Sequence, residues 1–392
     1  MSVSVSARMA RIKPSPTGAV LALATKLKAE GRDIVSLGAG EPDFDTPEHI
    51  RRAACEAIEA GATRYTPIDG TAELKAAVCR KFERDNGLKF DPDQILVSSG
   101  GKQSLFNLCI ALLNEGDEAI VPAPYWVSYP DMVRLAGADA VTIPTTLEEG
   151  FKLTPEQLDA ALTPRTRLLF INSPSNPTGT CYTSAELAAL GETLVAYPDV
   201  VVVSDDIYEH IYWGSEPFSS FATACPDLRD RTVTVNGVSK AYAMTGWRIG
   251  YAGGPAELIR AMQTVQSQST SNACSVSQVA AQVALDGDQS AVKNMCAAYK
   301  ERHDYFVAAL DALPGFECRP GDGSFYALPR VTSAIESLSL EDDTAFVKHL
   351  LDAANVACVP GTAFGAPGHV RMSFACSIEN LKLAIDRIAA VL

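Results

Sequence analysis

The segment Asn236-Gly237-Val238-Ser239-Lys240-Ala241-Tyr242-Ala243-Met244-Thr245-Gly246-Trp247-Arg248-Ile249-Gly250 sets a lysine and an arginine eight residues apart in apolar, aromatic and Gly-rich surroundings. A lysine amine condenses with an aldehyde to give an imine, and burial beside other cations lowers its pKa toward that of a useful base. A guanidinium grips a phosphate through two parallel hydrogen bonds. A lone lysine would read as a solvated surface residue. It is the company of Lys240 that points to chemistry.

Three further clusters could complete such a site. Ser204-Asp205-Asp206-Ile207-Tyr208 follows the apolar run Val200–Val203, and an acid leaving the end of a buried strand stands where open α/β sheets bind ligands. Either Asp205 or Asp206 could equally cap a helix. Asn172-Ser173-Pro174-Ser175-Asn176-Pro177-Thr178-Gly179 follows Leu168–Ile171; it is ordinary turn chemistry, although the Asn176 amide could donate to an oxyanion. Ser99-Gly100-Gly101-Lys102 joins Ile95–Ser98 to a helical pattern. Its glycines would let the backbone approach a phosphate at a helix N-terminus, a weak signal when taken alone.

These clusters need elements to position them. Apolar runs at Ile95–Ser98, Glu118–Val121, Ala140–Ile143, Leu168–Ile171, Val200–Ser204, Thr232–Val235 and Ile249–Ala252 read as strands buried on both faces. Between them, Gly101–Asn114 carries a stripe of Leu105, Leu108, Cys109 and Leu112, and Ser184–Tyr197 opens on Thr183-Ser184 with Glu186 close behind. The alternation predicts an α/β fold with a mostly parallel seven-stranded sheet covered by helices. After helical stretches from Ser277 to Leu313 the pattern becomes mixed, around Gly323-Ser324-Phe325-Tyr326 and Val370–Phe374. We expect a large domain over 46–305 and a smaller α+β domain formed by 1–45 and 306–392.

Composition narrows the function. Of 392 residues, 33 are basic and 47 acidic, for a net charge of −14, which argues against a nucleic-acid binder. The 47% hydrophobic content supports a sizeable core. The ten cysteines form no C-x-x-C pair; Cys55, Cys79, Cys109 and Cys181 read as buried free thiols, with no metal site expected. Met1–Arg11 lacks the apolar stretch of a secretory signal, and no run approaches a membrane span. The expected location is the cytoplasm.

Together, Ser204–Tyr208, Asn172–Gly179 and Ser239–Gly250 resemble the class I aminotransferases of the aspartate aminotransferase family, pyridoxal 5'-phosphate (PLP) enzymes of fold type I. The resemblance runs through nearly the whole chain. It includes Gly38-Ala39-Gly40-Glu41-Pro42-Asp43-Phe44, Tyr65-Thr66-Pro67, Gly100-Gly101-Lys102-Gln103, Pro124-Tyr125-Trp126, Val359-Pro360-Gly361 and Val370-Arg371-Met372-Ser373. It is strongest to the bacterial branch holding aspartate and bifunctional aspartate/prephenate aminotransferases. The resemblance implies that Lys240 carries the cofactor as a Schiff base and moves protons, and that Asp205 pairs with the pyridinium nitrogen. Tyr208 and Asn176 would bond the ring oxygen, and Trp126 would stack on the ring. Arg248 and the Gly100-Gly101-Lys102 backbone would hold the phosphate, helped by Tyr65 from a second subunit and, in place of a serine at Gly237, by Ser239 or backbone donors. Arg371 would clamp the substrate α-carboxylate beside Gly40. Many relatives have a phosphate-binding serine three residues before the lysine; here that position is Gly237.

The implied reaction is a ping-pong exchange between small amino acids and 2-oxo acids, with aspartate and 2-oxoglutarate as the core pair and prephenate as a further acceptor. A dicarboxylate needs a second cation, for which Lys102 and Lys13 are candidates. Alternatives within the fold are aminotransferases for aromatic, alanine or methionine donors, and a PLP lyase of the aminocyclopropane-carboxylate synthase kind. Outside it stand a PLP-binding transcriptional regulator, for whose DNA-binding module there is no room before Gly38, and a non-catalytic scaffold, which would not need these residues together. Relatives imply a homodimer with shared sites.

Overall fold

The computed structural model describes residues 3–14 and 16–392. Its centre is a sheet of seven strands: β1 (Ile95–Ser98), β2 (Glu118–Ala123), β3 (Asp139–Pro144), β4 (Thr166–Asn172), β5 (Val201–Asp205), β6 (Thr232–Gly237) and β7 (Gly250–Gly253), in the order β1-β7-β6-β5-β4-β2-β3. Only β7 runs against the rest, pairing antiparallel with both β1 and β6. The mostly parallel seven-stranded α/β sheet read from the sequence is therefore the one observed.

The two faces of each inner strand enter different cores. Leu168, Phe170 and Val203 pack under the helices Gly101–Leu112 and Ala256–Ser267. Leu169, Ile171 and Val202 pack under Ser184–Leu194. Burial on both sides is why these strands read as continuous apolar runs. Edge strand β3 has one open flank and is only partly buried. Ser184–Leu194 begins with the anticipated capping box, in which Thr183 and Glu186 bond each other's backbone N–H groups. Both anticipated helices stop short of their expected ends, at Leu112 and Leu194. Leu113 is already extended, and the following turn is tied by the Asn114 N–H donating to Asp117.

A further core gathers Tyr299, Phe306, Phe325, Phe346, Val370, Met372 and Ile388 with Val35 and Leu37. Val35–Ser36 pairs in parallel with Val356–Ala357, and Val359–Pro360, Val370–Ser373 and Tyr326–Ala327 form a small antiparallel sheet. The helical stretch read from Ser277 resolves into Ser275–Asp286 and Ser290–Asp311.

All ten cysteines are free. Cys55 corrects the expectation of burial: it lies on the exposed face of the helix Glu48–Glu59, and Cys274 is exposed too. Among the described residues no helix is long and apolar enough to cross a membrane. One group of potential metal ligands, Asp85, Glu209 and His210, brings its ligand atoms within 4.8 Å of one another. The fully buried Lys81 ion-pairs with Glu209 there, so an ammonium already occupies the cation's place.

Candidate active site

The parallel strands end on one side of the sheet, where a cleft of about 440 Å³ opens. Its lining includes Gly101, Lys102, Trp126, Asn176, Asp205, Tyr208, Ser239, Lys240, Arg248, Gly40 and Arg371. Residues far apart in sequence, from Thr17 to Arg371, thus meet around the strand ends and the turns that follow them.

Lys240 follows β6 and donates from Nζ to the Gly40 carbonyl at 2.5 Å. Burial, and then the nearby Arg248 charge, bring its pKa down to about 8. Asp205 ends β5 and is 5% exposed. Burial pushes its carboxyl up to about 6; against this work the Tyr129 hydroxyl, donating to Oδ2 at 2.6 Å, the Ile207 N–H at 3.4 Å and the Lys240 charge. The choice between the two adjacent acids is decided by direction. Asp206 is outside the cleft lining, accepts from the Ser204 hydroxyl at 2.6 Å, and is pushed up to about 7 by burial and by Glu209. A turn, not a helix, follows them.

Asn176 is held by its own N–H on the Asn172 side chain at 2.9 Å, and its amide oxygen accepts from Arg371 Nη1 at 3.1 Å. Arg371 also donates through Nη2 to the Gly38 carbonyl at 2.8 Å, while its buried Nε has no hydrogen-bond partner among the described residues. The Tyr208 and Tyr326 hydroxyls are 3.0 Å apart. Trp126 carries the Lys102 ammonium 4.6 Å above its ring; burial and Arg248 lower the Lys102 pKa.

Arg248 adopts a left-handed backbone with φ 57°, a strained position for a residue with a side chain. Its guanidinium donates to the Thr245 carbonyl at 2.9 Å and the Ser99 carbonyl at 3.4 Å. Gly100, at φ 86°, is not part of the lining but lies against it: a Cβ there would come within 2.2 Å of Arg248 Nη2. Gly250 is equally confined, since its Cβ would meet the Gly101 nitrogen at 2.1 Å. Gly237 pairs with Gly250 across β6 and β7, and a Cβ on it would lie 3.0 Å from Gly250 Cα and the Ile249 carbonyl. A side chain at this position would need those neighbours to give by a few tenths of an ångström.

Two anticipated residues stand apart. Tyr65 is 92% exposed and outside the lining of this single chain. Lys13 is exposed and does not line the cleft; Thr17 and Gly18, just beyond it, do. Sequence reading missed Tyr129 and Tyr326. Tyr129 lies three residues after Trp126, a spacing that could have drawn attention to it; Tyr326 had no local signal beyond its Gly-Ser-Phe-Tyr run.

These groups suit an anionic aldehyde: an amine of lowered pKa, a buried acid, a glycine cradle beside an arginine, and a buried guanidinium with a donor to spare. The model for aminotransferases of class I and II matches residues 32–388. The chain belongs to this family. Its members are PLP enzymes. The chain is 54% identical to the aspartate/prephenate aminotransferase of Nitrosomonas europaea over 396 residues, covering 100% of both proteins. It is 54% identical over 391 residues to that of Cereibacter sphaeroides, covering 98% of each. Among solved structures, aspartate aminotransferase from Thermus thermophilus with maleate is similar at a TM-score of 0.94 and 47% identity, with 100% of each chain covered. The aminotransferase family thus agrees with the cleft's chemistry.

Proposed function

We propose that this aminotransferase moves the amino group of aspartate to 2-oxoglutarate, giving oxaloacetate and glutamate, and that it also serves the glutamate/prephenate pair. The observation that carries the reading is Lys240, a cleft lysine whose pKa is brought down to about 8 beside the buried Asp205. The similarity to enzymes named for aspartate and prephenate supports the substrate pair.

PLP, when bound, supplies a sink for the electrons left at Cα after its proton departs. Lys240 would hold the cofactor through its Nζ and, once its amine is free, would be the base that takes the substrate Cα proton and the acid that gives it back. Tethering makes that transfer effectively intramolecular. Asp205, which accepts from the Tyr129 hydroxyl, would keep the pyridine nitrogen protonated. Tyr208 and Asn176 would bond the ring oxygen, and Trp126 would cover the ring. Arg248, Ser239 and the Gly100-Gly101-Lys102 turn would hold the phosphate. Arg371, whose side chain lines the cleft, would take the α-carboxylate, with Gly40 alongside. Lys102, in the cleft over Trp126, answers the second carboxylate. Lys13 lies on the segment before Thr17 and would join it only if that segment closed inward.

We further propose a cytoplasmic homodimer in which the exposed Tyr65 reaches the partner's phosphate site, and a division into a large part at 46–305 and a smaller one at 1–45 and 306–392. The core around Phe306 and Phe346, which gathers Val35 and Leu37 with residues of 306–392, supports that division, with Tyr208, Ile211, Met295 and Tyr299 joining it from the larger part.

Lys240→Ala should abolish both turnover and the borohydride-reducible visible chromophore. Turnover like the wild type's in that variant would overturn the assignment. A panel of amino donors against 2-oxoglutarate, oxaloacetate and prephenate should put aspartate and glutamate first; a preference for alanine, aromatic or methionine donors would replace the substrate reading and leave the chemistry.

A further inference from the structure

Tyr326 touches two groups to which the proposed function gives different tasks. It is 2% exposed and pairs with Ser373 across the small sheet, on the strand that also carries Arg371. Its ring centre lies 4.5 Å from the Arg371 guanidinium carbon, and Phe364 lies 4.8 Å from the same carbon. Its hydroxyl is 3.0 Å from that of Tyr208. The same hydroxyl would be 3.0 Å from a Cβ on Gly40, whose carbonyl accepts from Lys240.

Arg371 needs such support. Among the described residues it makes no ion pair, and its two hydrogen bonds go to neutral oxygens. Aromatic faces hold a desolvated guanidinium in place without consuming its in-plane donors. Tyr208 has the complementary need. If its single proton goes to a ligand, its oxygen can only accept in the bond with Tyr326, and a chain of two hydroxyls strengthens the outer bond.

We propose that Tyr326 is a positioning residue for both halves of the site: its ring sets the Arg371 guanidinium for the substrate carboxylate, and its hydroxyl donates to Tyr208 so that the Tyr208 proton faces the cofactor's ring oxygen. This rests on the roles given above to Arg371 and Tyr208.

Two substitutions in the holoenzyme separate the halves. Tyr326→Phe keeps the ring and removes the hydroxyl; Tyr326→Leu removes both. The carboxylate half is read as the Kd for maleate, and the cofactor half as the pH midpoint of the visible absorbance of the Lys240-bound cofactor. Tyr326→Phe should move the midpoint by about 0.3–1 pH unit, the worth of one hydrogen bond, with maleate binding within about twofold of the wild type. Tyr326→Leu should move the midpoint equally and weaken maleate about tenfold. Adding Tyr326→Phe to Tyr208→Phe should shift the midpoint no further. An unmoved midpoint in Tyr326→Phe, where Tyr208→Phe does move it, overturns the hydroxyl relay alone. If Tyr208→Phe leaves the midpoint in place, the assignment of Tyr208 falls and takes the relay with it. Unchanged maleate binding in Tyr326→Leu overturns the ring's role, provided Arg371→Lys weakens maleate; if it does not, the Arg371 assignment falls as well.

Discussion

Arg371 and Arg248 both line the cleft, and among the described residues neither has a carboxylate partner. The chain keeps each guanidinium available by different means. Arg371 is buried at 2% exposure, flanked by Tyr326 and Phe364, and bonded only to an amide and a carbonyl oxygen. Arg248 is exposed, and it is the backbone that aims it: a left-handed φ of 57°, two carbonyl acceptors and a glycine where a side chain would collide. A buried cation without a counter-charge is costly, and that cost is recovered only when an anion arrives. An exposed one is cheap to hold but must be oriented. The first arrangement suits discrimination of a small carboxylate, the second retention of a phosphate on a cofactor that stays.

The comparison breaks first at Arg371. Its replacement by alanine should lower kcat/KM for amino and oxo acids alike by roughly two to three orders of magnitude, the cost of truncating a buried charge partner. The loss should fall mainly in KM, and cofactor affinity should stay within about twofold of the wild type. Steady-state kinetics with both substrates checks this, and a KM unchanged for both would remove Arg371 from the carboxylate site.

Arg248→Ala should show the opposite division. Titration of the apoprotein with PLP should give a Kd raised by about ten- to a hundredfold, from loss of charge-assisted hydrogen bonds to the phosphate. Amino-acid KM at saturating cofactor should move little. If the main effect instead appears in amino-acid KM, the two arginines share one task and the distinction drawn here fails.

How far each half could be read from sequence follows the same line. Lys240, Ser239 and Arg248 lie in one contiguous segment, and Asp205 sits at the end of an unmistakable strand, so the sheet side was legible. β1 matches its apolar run residue for residue, and the other strands differ only at their ends. The surroundings of Arg371 were not legible. Tyr326 reaches it through antiparallel register, Ser373 opposite Tyr326, and Phe364 through a short turn at Gly361–Phe364. Neither relation has a local sequence signal. Tyr129 was missed for a similar reason, since its bond to Asp205 joins residues 76 positions apart. Thr17 and Gly18 enter the cleft where Lys13 was expected. Charge marked the lysine, whereas the chain's path decides which neighbour faces inward.

The smallest effect should sharpen the comparison from the backbone side. Gly100→Ala leaves Arg248 in the chain but sets a methyl where its guanidinium now lies, 2.2 Å from Nη2, and forces alanine to φ 86°. With ψ at 157° this is a region essentially restricted to glycine, and the conformational penalty is about 1–3 kcal/mol of stability, measurable by denaturant midpoint. The displaced guanidinium should weaken PLP binding by less than Arg248→Ala does, because the charge remains near the phosphate. In the double variant, Gly100→Ala should add little further loss of cofactor affinity, since the group it displaces is already gone. If Gly100→Ala weakens PLP as much in the absence of Arg248 as in its presence, the glycine acts on the phosphate through its own backbone and does not aim Arg248. Among the described residues no glycine crowds Arg371 in this way, and the rings of Tyr326 and Phe364 flank its guanidinium: there the equivalent small perturbation is made on Phe364 or Tyr326.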